Sequence, residues 1–514
     1  MEEIAVVTER THEQREGARQ PATAPRDVRE FVAAIEKIGQ LKHITAAVSR
    51  KEEMGAITYM YHQRVGAPAL LFEKITGCPP GFRALWNQLG SNTDRIALAI
   101  GEPAGLSIQE LIRRFKDKSG RQIPPVMVDP KDAPINAHHM RGSDIDVTIF
   151  PAARHWPLDG GEYIGTCDAT ITRDPDGGWL NVGTYRQMVQ SRNEVGLYLT
   201  PGKDARLHIE RNWAMGKPCE VVACWGIDPA LFMVSSQTFP KTQSELDYAG
   251  GLIGRPVELV QGTATSLPYP ARAEIVMEGV IPPGSERTEG PFGEYTGYYG
   301  RPQGPAFLMQ VKAVHYRDNP ILTQALMADY YAANEQSTVY SVARSGRIWN
   351  DLERLGIPGI KGVFCYPAAA GGFGMTAVSI EQRYAGHAKQ VLALAAQCPA
   401  GALYGKWTIA VDEDVDPTDI NQVLWAMATR CHPATDIDFM HDSWSTYLDP
   451  SQNPAEKRPY GCKVLINACK DYRFIKEFSP RTMVRRSTYE AVCRRWKELG
   501  LEREPPQLRA LEEG

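Results

Sequence analysis

Two glutamates in a glycine-rich stretch are the residues of this sequence best placed to do chemistry. Glu289 and Glu294 lie in the segment EGPFGEYTGYYG, which also holds four glycines, one proline and three tyrosines. Gly290, Pro291 and Gly293 interrupt any regular helix or strand, because glycine tolerates strained backbone angles and proline fixes its own φ. A tight turn would let both carboxylates converge, and such a pair suits proton transfer, since one carboxyl can stay ionised while the other is pushed towards neutrality. A surface turn with solvated glutamates is the alternative on composition alone.

An arginine and an asparagine lie close together earlier in the chain. The segment WLNVGTYRQM places the amide of Asn181 five residues before the guanidinium of Arg186. Arginine is a natural partner for a carboxylate, because its planar fork binds both oxygens. The segment therefore favours a site for an acidic substrate, with a surface strand and a solvated arginine as the alternative.

Further polar residues in the same part of the chain could bind a phosphate or a cation. Ser235 and Ser236 are small enough for a phosphate to approach closely, and the carboxylate of Glu245 could hold a hard cation. His208 lies between apolar neighbours, a setting in which a lone histidine is more often structural than a ligand. An ordinary serine-rich loop is the alternative for the first two residues.

Composition excludes several classes of protein. A net charge of −4 makes a broad nucleic-acid surface unlikely to form, and no apolar run approaches the roughly 20 residues that cross a bilayer. Acidic residues near the N-terminus do not fit a secretory signal, and the ten cysteines include no CxxC pair. We therefore expect a cytoplasmic protein with no nucleic-acid or membrane partner. No nucleophile elbow, HExxH or Ser-x-x-Lys pattern supports a hydrolase.

The elements that must position these residues change along the 514-residue chain. Asp27 and Ser107 each precede an amphipathic segment and have a glutamate three residues on, a pattern that predicts two capped helices. From about residue 126 the pattern changes to short β-rich runs, which indicate a barrel or sandwich. Beyond about 325, helix and strand alternate again, and Ser487 with Glu490 predicts a last capped helix through Leu499. The strands predicted in the middle are 220–227, 257–262, 274–281 and 307–316.

These patterns predict three domains and two terminal segments. Residues 1–25 read as a flexible tail and 26–125 as a small α/β domain. Residues 126–322 read as the β-rich domain that carries the candidate site. Residues 323–480 read as a second α/β domain, and 481–514 as a helical tail.

The literal string around the glutamate pair resembles the signature of the UbiD-like decarboxylases, which remove or add CO2 on unsaturated acids with a prenylated flavin mononucleotide. The resemblance extends from about residue 27 to 480. It includes HWP at 155–157, DGG at 159–161, TRCHP at 429–433 and YLDP at 447–450. It implies an α/β (α+β multidomain) fold: an N-terminal α/β domain, a central split β-barrel that binds the flavin, and a C-terminal α/β oligomerisation domain.

Carried over position by position, the resemblance implies roles for ten residues. A catalytic Glu-Arg-Glu set would hold the substrate carboxylate through the arginine, orient that arginine with the first glutamate, and deliver a proton from the second. Its members are Arg186, Glu289 and Glu294. The ligands of a divalent metal, Mn2+ or Mg2+, on the flavin phosphate would be Asn181, His208 and Glu245. Further contacts to the cofactor are implied for Thr166, Thr184, Ser235 and Ser236.

The function that this resemblance implies is the reversible, non-oxidative decarboxylation of an aromatic or heteroaromatic acid. Prenylated FMN, the divalent metal and K+ would be the cofactors, and a flavin prenyltransferase would supply the flavin. A small aromatic acid and CO2 would be the reactants, and the protein would be a homodimer or homohexamer. An aroyl-CoA ring carboxylate remains the main alternative substrate. An FMN-dependent oxidoreductase and a flavin-binding subunit without turnover remain the alternative classes.

Overall fold

The computed structural model describes residues 23–240, 243–452, 460–508 and 511–512. Residues 1–22 of the predicted tail lie outside this part of the chain. Ala24 and Pro25 are buried, and Arg255 donates hydrogen bonds to both of their carbonyl oxygens. Within the described residues, no helix is both long and apolar enough to cross a membrane.

Both capped helices predicted in the N-terminal region are confirmed. Asp27 caps the first by accepting a hydrogen bond from the backbone N–H of Glu30. Ser107 and Glu110 form a reciprocal capping box at the start of the other. The elements of this region are α1 (Val28–Lys37), β1 (Leu41–Val48), α2 (Glu53–Tyr61), β2 (Ala69–Ile75), β3 (Arg83–Trp86), α3 (Thr93–Ala99) and α4 (Ile108–Ser119).

The N-terminal sheet takes one of its strands from much later in the chain. Its order is β1-β2-β3-β17, where β17 is Ile321–Gln324 and runs parallel to β3. This strand spans residue 322, the proposed end of the central domain. The N-terminal and central regions are therefore joined through a shared sheet as well as through the chain.

A ten-stranded sheet, curled into an open half-barrel, forms the central region and confirms the predicted fold class. Its main path is β6-β9-β10-β16-β14-β11-β7-β8, with neighbours antiparallel, and β5 and β15 both pair with β16. The strands are β5 (His138–Arg141), β6 (Tyr163–Gly165), β7 (Asp168–Arg173), β8 (Leu180–Gly183), β9 (Gln187–Ser191), β10 (Glu194–Leu197), β11 (Cys219–Trp225), β14 (Ile275–Ile281), β15 (Glu286–Glu289) and β16 (Gly304–Tyr316).

Three helices interrupt the central strands, although the sequence pattern predicted strands without long helices between them. They are α5 (Asp204–Ala214), α6 (Pro229–Ser235) and α7 (Glu245–Ile253). Helix α5 has a mixed polar surface with only three buried residues, so it lacks the apolar stripe that marks a helix in sequence. A small side sheet adds β4 (Val126–Met127), β12 (Glu258–Gln261) and β13 (Pro268–Pro270).

The C-terminal region is a five-stranded mixed sheet with helices, in the order β18-β19-β20-β22-β21. A 20-residue helix, α8 (Glu335–Arg354), leads into it and is buried along almost its whole length. The sequence analysis did not predict this helix. The other elements are β18 (Ile360–Cys365), β19 (Met375–Ile380), α9 (His387–Gln397), α10 (Pro399–Ala402), β20 (Trp407–Asp412), α11 (Ile420–Arg430), α12 (Pro433–Asp436), β21 (Ile437–Ser443) and β22 (Gly461–Ala468).

The last helix differs from the prediction at both ends. It runs Arg486–Arg494 (α13), so Ser487 lies inside it and caps nothing, and Leu499 lies beyond it. Its backbone is set by the short pairing of β23 (Val484–Arg485) with β24 (Leu511–Glu512), which leads directly into the first turn. A serine–glutamate pair was therefore not sufficient evidence for a capping box here.

Candidate active site

A cavity between the central sheet and the C-terminal region brings most of the predicted site residues together. It holds about 1110 Å³ of empty space, counted with its open mouth. The predicted residues that line it are Thr166, Asn181, Thr184, Arg186, Ser235, Ser236, Glu245 and Glu294. Glu289 and His208 are buried behind this wall.

The turn predicted between the two glutamates is present, and neighbouring residues hold it in place. Glu289 ends β15, and Gly290 follows with φ of 85°. Asp159 accepts a hydrogen bond of 2.9 Å from the backbone N–H of Gly293. A Cβ atom on Gly293 would lie 2.3 Å from Cδ1 of Trp156, so only glycine fits here. The chain is thereby forced to double back and place Glu294 beside Arg186.

Glu289 is fully buried and receives four hydrogen bonds. Arg186 donates two of them in a bidentate pair, Nε to Oε1 at 2.8 Å and Nη2 to Oε2 at 2.9 Å. Tyr163 Oη donates to Oε1 at 2.7 Å, and Arg301 Nη1 donates to Oε2 at 3.1 Å. Burial raises the pKa of Glu289, but the charge of Arg186 and these hydrogen bonds outweigh it and lower the pKa below its ordinary value. Glu289 is therefore held as a carboxylate.

The pKa of Glu294 is shifted in the opposite direction. Its Oε1 accepts a hydrogen bond from Nη1 of Arg186. Burial raises the pKa of Glu294, and the nearby charge of Arg186 only partly offsets that effect. The two carboxyl groups thus share one guanidinium but differ in the direction of their pKa shifts, which is the divergence that acid–base chemistry uses.

Aromatic rings hold the Arg186 guanidinium in place. Its central carbon lies 4.3 Å from the ring centre of Tyr198 and 5.5 Å from that of Phe292. The guanidinium of Arg301 lies 4.4 Å from the same Tyr198 ring. Such contacts restrict a cation without consuming its hydrogen-bond donors.

Two of the predicted metal ligands lie together at another part of the cavity wall. Glu245 begins α7 and accepts a hydrogen bond of 2.8 Å from the N–H of Val182, the neighbour of Asn181. Burial, with a smaller contribution from Asp204, which also lines the cavity, raises the pKa of Glu245 to about 8. A buried carboxyl, a second carboxylate and an amide oxygen form a donor set that suits a hard divalent cation.

The third predicted ligand lies one layer deeper. His208 is on α5, and its Nδ1 is 3.0 Å from Oγ1 of Thr172, which pairs with Asn181 across β7 and β8. Its Nε2 lies 3.7 Å from a carboxylate oxygen of Asp174. The structure thus places His208 beside the strand that carries Asn181 but not in the cavity wall. In the described part of the chain, no cluster of three His, Cys, Asp or Glu side chains is arranged to hold a metal ion.

The predicted hydroxyl groups lie where α6 ends. Thr184 Oγ1 and Ser235 Oγ are 2.9 Å apart, and Ser236 donates to the carbonyl of Met233 at 2.8 Å. Thr166 donates to Oε1 of Gln324 at 2.8 Å. They form a polar strip along one wall that could receive the oxygens of a phosphate or the edge of a flavin.

The sequence analysis missed several residues around the cavity. Lys203 is half-buried in its wall and donates to Thr238 at 3.2 Å, and burial lowers the pKa of its ammonium group. The sequence signal that could have identified Lys203 was its position after Pro201 and Gly202, just before α5. The C-terminal region also lines the cavity, through Tyr340, Phe373, Leu403, Trp444, Thr446 and Leu448.

The segment 327–334 lies only partly in the cavity wall. Of residues 327–334, Met327 lines the cavity, whereas Tyr330 and Tyr331 do not. Asn334 is buried and donates to the carbonyls of Tyr295 and Ala328 at 3.1 and 2.9 Å. Asn334 therefore supports the loop after Glu294 instead of facing a ligand.

Comparison with protein families gives three consecutive matches. Models of the N-terminal, Rift-related and C-terminal domains of 3-octaprenyl-4-hydroxybenzoate carboxy-lyase, UbiD, match residues 32–115, 126–330 and 337–468. The chain is 30% identical over 505 residues to pyrrole-2-carboxylic acid decarboxylase of Pseudomonas aeruginosa, covering 92% of this chain and 98% of the relative. It is 31% identical over 442 residues to phenolic acid decarboxylase of Bacillus subtilis, covering 84% and 90%.

Solved structures show the same similarity. The closed form of vanillic acid decarboxylase from Sedimentibacter hydroxybenzoicus superposes with a TM-score of 0.84 at 29% identity, covering 93% of this chain and 99% of that one. An evolved dimeric form of a UbiD-class enzyme from Pelotomaculum thermopropionicum, in complex with prenylated FMN, superposes with a TM-score of 0.76 at 27% identity. That comparison covers 89% of this chain and 97% of the other.

Proposed function

The chain belongs to the UbiD family of carboxy-lyases, and from that membership we propose that it catalyses the reversible, non-oxidative decarboxylation of an aromatic or heteroaromatic carboxylic acid with prenylated FMN. The relatives named above act on pyrrole, phenolic and vanillic acids, which supports this substrate class.

The observation that carries the proposal is the hydrogen-bonded set of Glu289, Arg186 and Glu294 at the cavity. Arg186 is the permanently charged member, and Glu289 occupies its Nε and Nη2. The remaining nitrogen, Nη1, is directed to Glu294, and both Arg186 and Glu294 line the cavity. A substrate carboxylate that enters can bind at Nη1, which places the bond to be broken beside Glu294, the member of the glutamate pair whose pKa is raised.

In this proposal each residue has a distinct task. Arg186 holds the substrate carboxylate, and Glu289 fixes the plane of Arg186 and keeps it charged. The carbon–carbon bond to the carboxylate breaks, CO2 leaves, and Glu294 gives its proton to the ring carbon in its place. Prenylated FMN, when bound, accepts the electrons that CO2 leaves behind, which no protein side chain can stabilise on an sp2 carbon.

The residues that would hold the cofactor divide into two groups. The hydroxyls of Thr166, Thr184, Ser235 and Ser236 line the polar strip of the cavity. Asn181 and Glu245 would bind Mn2+ or Mg2+ on the flavin phosphate, with His208 behind them, and K+ would lie near the same phosphate. The buried carboxyl of Glu245 supports a cation here, because burial raises its pKa to about 8 and a bound cation would favour its charged form.

The domain boundaries and assembly belong to the same proposal. Residues 26–125, 126–322 and 323–480 would be the N-terminal, cofactor-binding and oligomerisation domains, with a helical tail at 481–514. A homodimer or homohexamer is supported by β21, an edge strand of the C-terminal sheet on which Phe439 is 62% exposed.

The test is expression with and without a flavin prenyltransferase, mass analysis of the bound flavin, and a panel of aromatic acids with labelled bicarbonate. We expect label to enter the carboxylate of one or more free acids only when the flavin is prenylated. Exchange confined to an aroyl-CoA ring carboxylate would replace the proposed substrate class. Bleaching of the flavin by NAD(P)H without any exchange would replace the reaction with that of an oxidoreductase.

A further inference from the structure

A second cavity adjoins the first at Glu294. It holds about 800 Å³ of empty space, counted with its mouth. Of the described residues, only Glu294 and Met327 line both cavities, so these two form the wall between them. The other walls are mainly aromatic and apolar, and include Tyr59, Trp156, Leu158, Tyr298, Tyr299 and Ala328.

The walls of this second cavity are held by specific contacts from all sides. The Tyr59 ring packs edge-on against Trp156 with their centres 5.3 Å apart, and Tyr59 Oη donates to Asp329 at 2.9 Å. Trp156 Nε1 donates to the carbonyl of Met327 at 2.9 Å. The N-terminal helix α2, the segment before β6 and the segment after β17 are thereby fixed around one space, so the cavity is a built feature of the fold.

Solvent reaches the mouth of the cavity, and its floor is rigid. Leu158 and Tyr298 at the mouth are 65% and 62% exposed. Glu294 donates its N–H to the carbonyl of Tyr298 at 3.1 Å, and its own carbonyl accepts from Gly297 at 2.9 Å. This closed turn keeps Glu294 in the dividing wall.

We propose that the second cavity is the water-filled route through which Glu294 regains its proton from solvent, an inference that rests on the proposed function. In each turnover Glu294 gives one proton to the ring carbon and is left as a carboxylate. One proton from solvent must then return to Glu294, so that one acid anion and one proton yield one CO2 and one decarboxylated ring.

The first cavity cannot supply this proton while it is occupied. A flavin and an aromatic product would fill the space beside Arg186 and Glu294, and Glu294 is only 7% exposed even without them. The second cavity touches Glu294 independently of the first and opens to solvent. Glu294 can therefore be reprotonated before the product has left.

The experiment follows deuterium transfer from solvent into the decarboxylated product. The wild type and two variants, Leu158→Trp at the mouth and Ala328→Phe in the wall, are incubated in D2O with the product of an acid that the wild type decarboxylates. Deuterium in the ring is measured by NMR. We expect each variant to incorporate deuterium about tenfold more slowly, with the flavin spectrum and the KM for the acid unchanged. Leu355→Trp, at an exposed leucine elsewhere, is the control and should behave like the wild type.

Other outcomes overturn the inference. An unchanged rate of deuterium incorporation in both variants, with a crystal structure showing the cavity filled, removes the proton route. A raised KM with an unchanged deuterium rate makes the cavity a passage for substrate instead. A wild type that neither decarboxylates any acid nor deuterates any product overturns the proposed function itself, and it is recognised because the wild type fails before any variant is compared.

Discussion

Glu289 and Glu294 carry the same functional group, and their neighbours shift their pKa values in opposite directions. The string around them predicted the pair and the turn. It could not predict the contacts of Tyr163, which lies on β6, or of Arg301, which directly follows the string, because both donate to Glu289 only after the sheet has folded. These contacts add to the charge and the two hydrogen bonds of Arg186, which are the main effects that outweigh the burial of Glu289 and lower its pKa. At this scale the sequence reveals the reacting groups, and the fold assigns their roles.

The proposed role of Glu294 as the proton donor predicts a large loss of activity when its carboxyl group is replaced. Glu294→Gln keeps the size of the side chain and can still accept a hydrogen bond from Arg186, but it has no carboxyl proton to give. We expect kcat to fall by about 10²–10⁴-fold with the flavin still bound. Flavin absorbance and bicarbonate exchange are the measurements. Glu286→Gln, at an exposed position on β15, is the control, and a Glu294→Gln enzyme with the kcat of the wild type contradicts the role.

The opposite pKa shifts predict a bell-shaped dependence of kcat on pH. Glu294 must be protonated to act, and burial raises its pKa above 4.5, so activity declines as pH rises through that raised value. Glu289 must be ionised, and its lowered pKa places the decline on the acid side below 4.5. Initial rates across pH, with melting temperature recorded at each point, test this. A rate that rises continuously through the alkaline range contradicts it.

Helices and strands could be predicted where one side of the element faces solvent and the other side is buried. Asp27 and Ser107 begin capped helices because each has both a cap and an amphipathic stripe. Helix α8 carries an apolar stripe that includes Val339, Val342 and Trp349, but it has almost no solvent side, because it is surrounded by protein. Its polar side chains are satisfied internally, as where Glu335 accepts hydrogen bonds from the N–H groups of Leu89 and Gly90 at 2.9 and 2.6 Å. Its burial could therefore not be predicted from its sequence, because the polar residues on its other face indicate a surface helix.

The close packing of the turn between the glutamates predicts that one added methyl group at Gly293 severely lowers activity. Gly293→Ala would place Cβ 2.3 Å from Cδ1 of Trp156, so the turn must shift and move Glu294 away from Arg186. We expect kcat/KM to fall about 10²-fold, with unfolding free energy reduced by about 1–3 kcal/mol. Kinetics and urea unfolding measure the two effects. Gly120→Ala, where the nearest atoms lie at 3.5 Å, is the control, and equal behaviour of the two variants would falsify the steric account.

The whole molecule builds its cavity from regions that are far apart in sequence. The alternation of helices and strands in the sequence correctly predicted an α/β region, then a β-rich region, then a second α/β region. It could not predict that Phe373 and Trp444 from the C-terminal region close over the central sheet, because nothing local marks such contacts. Trp444 lies directly over the loop before α5, where a Cβ on Gly202 would be 3.2 Å from its ring.

A cofactor bound between these regions should stabilise the molecule as a whole. Removing the flavin should lower the melting temperature, and restoring it at about 100 times its Kd should return about 2.7 kcal/mol. Trp444→Ala should reduce this gain by weakening the contact across the cavity, and Trp407→Ala, an exposed tryptophan elsewhere, should not. Differential scanning calorimetry with and without flavin gives both values. The prediction fails if flavin raises the melting temperature of both variants and the wild type equally.

Strand β17 ties the N-terminal sheet to a segment that the ribosome releases only after the entire central half-barrel. Until Ile321–Gln324 emerges, β3 has an open edge beside Arg83–Trp86. The first region is thus the first to be synthesised and among the last to be completed. A truncated product that ends near residue 125 would expose that edge to other nascent chains, so splitting this protein at its proposed domain boundaries should yield fragments that aggregate, whereas the full-length polypeptide closes the sheet on itself.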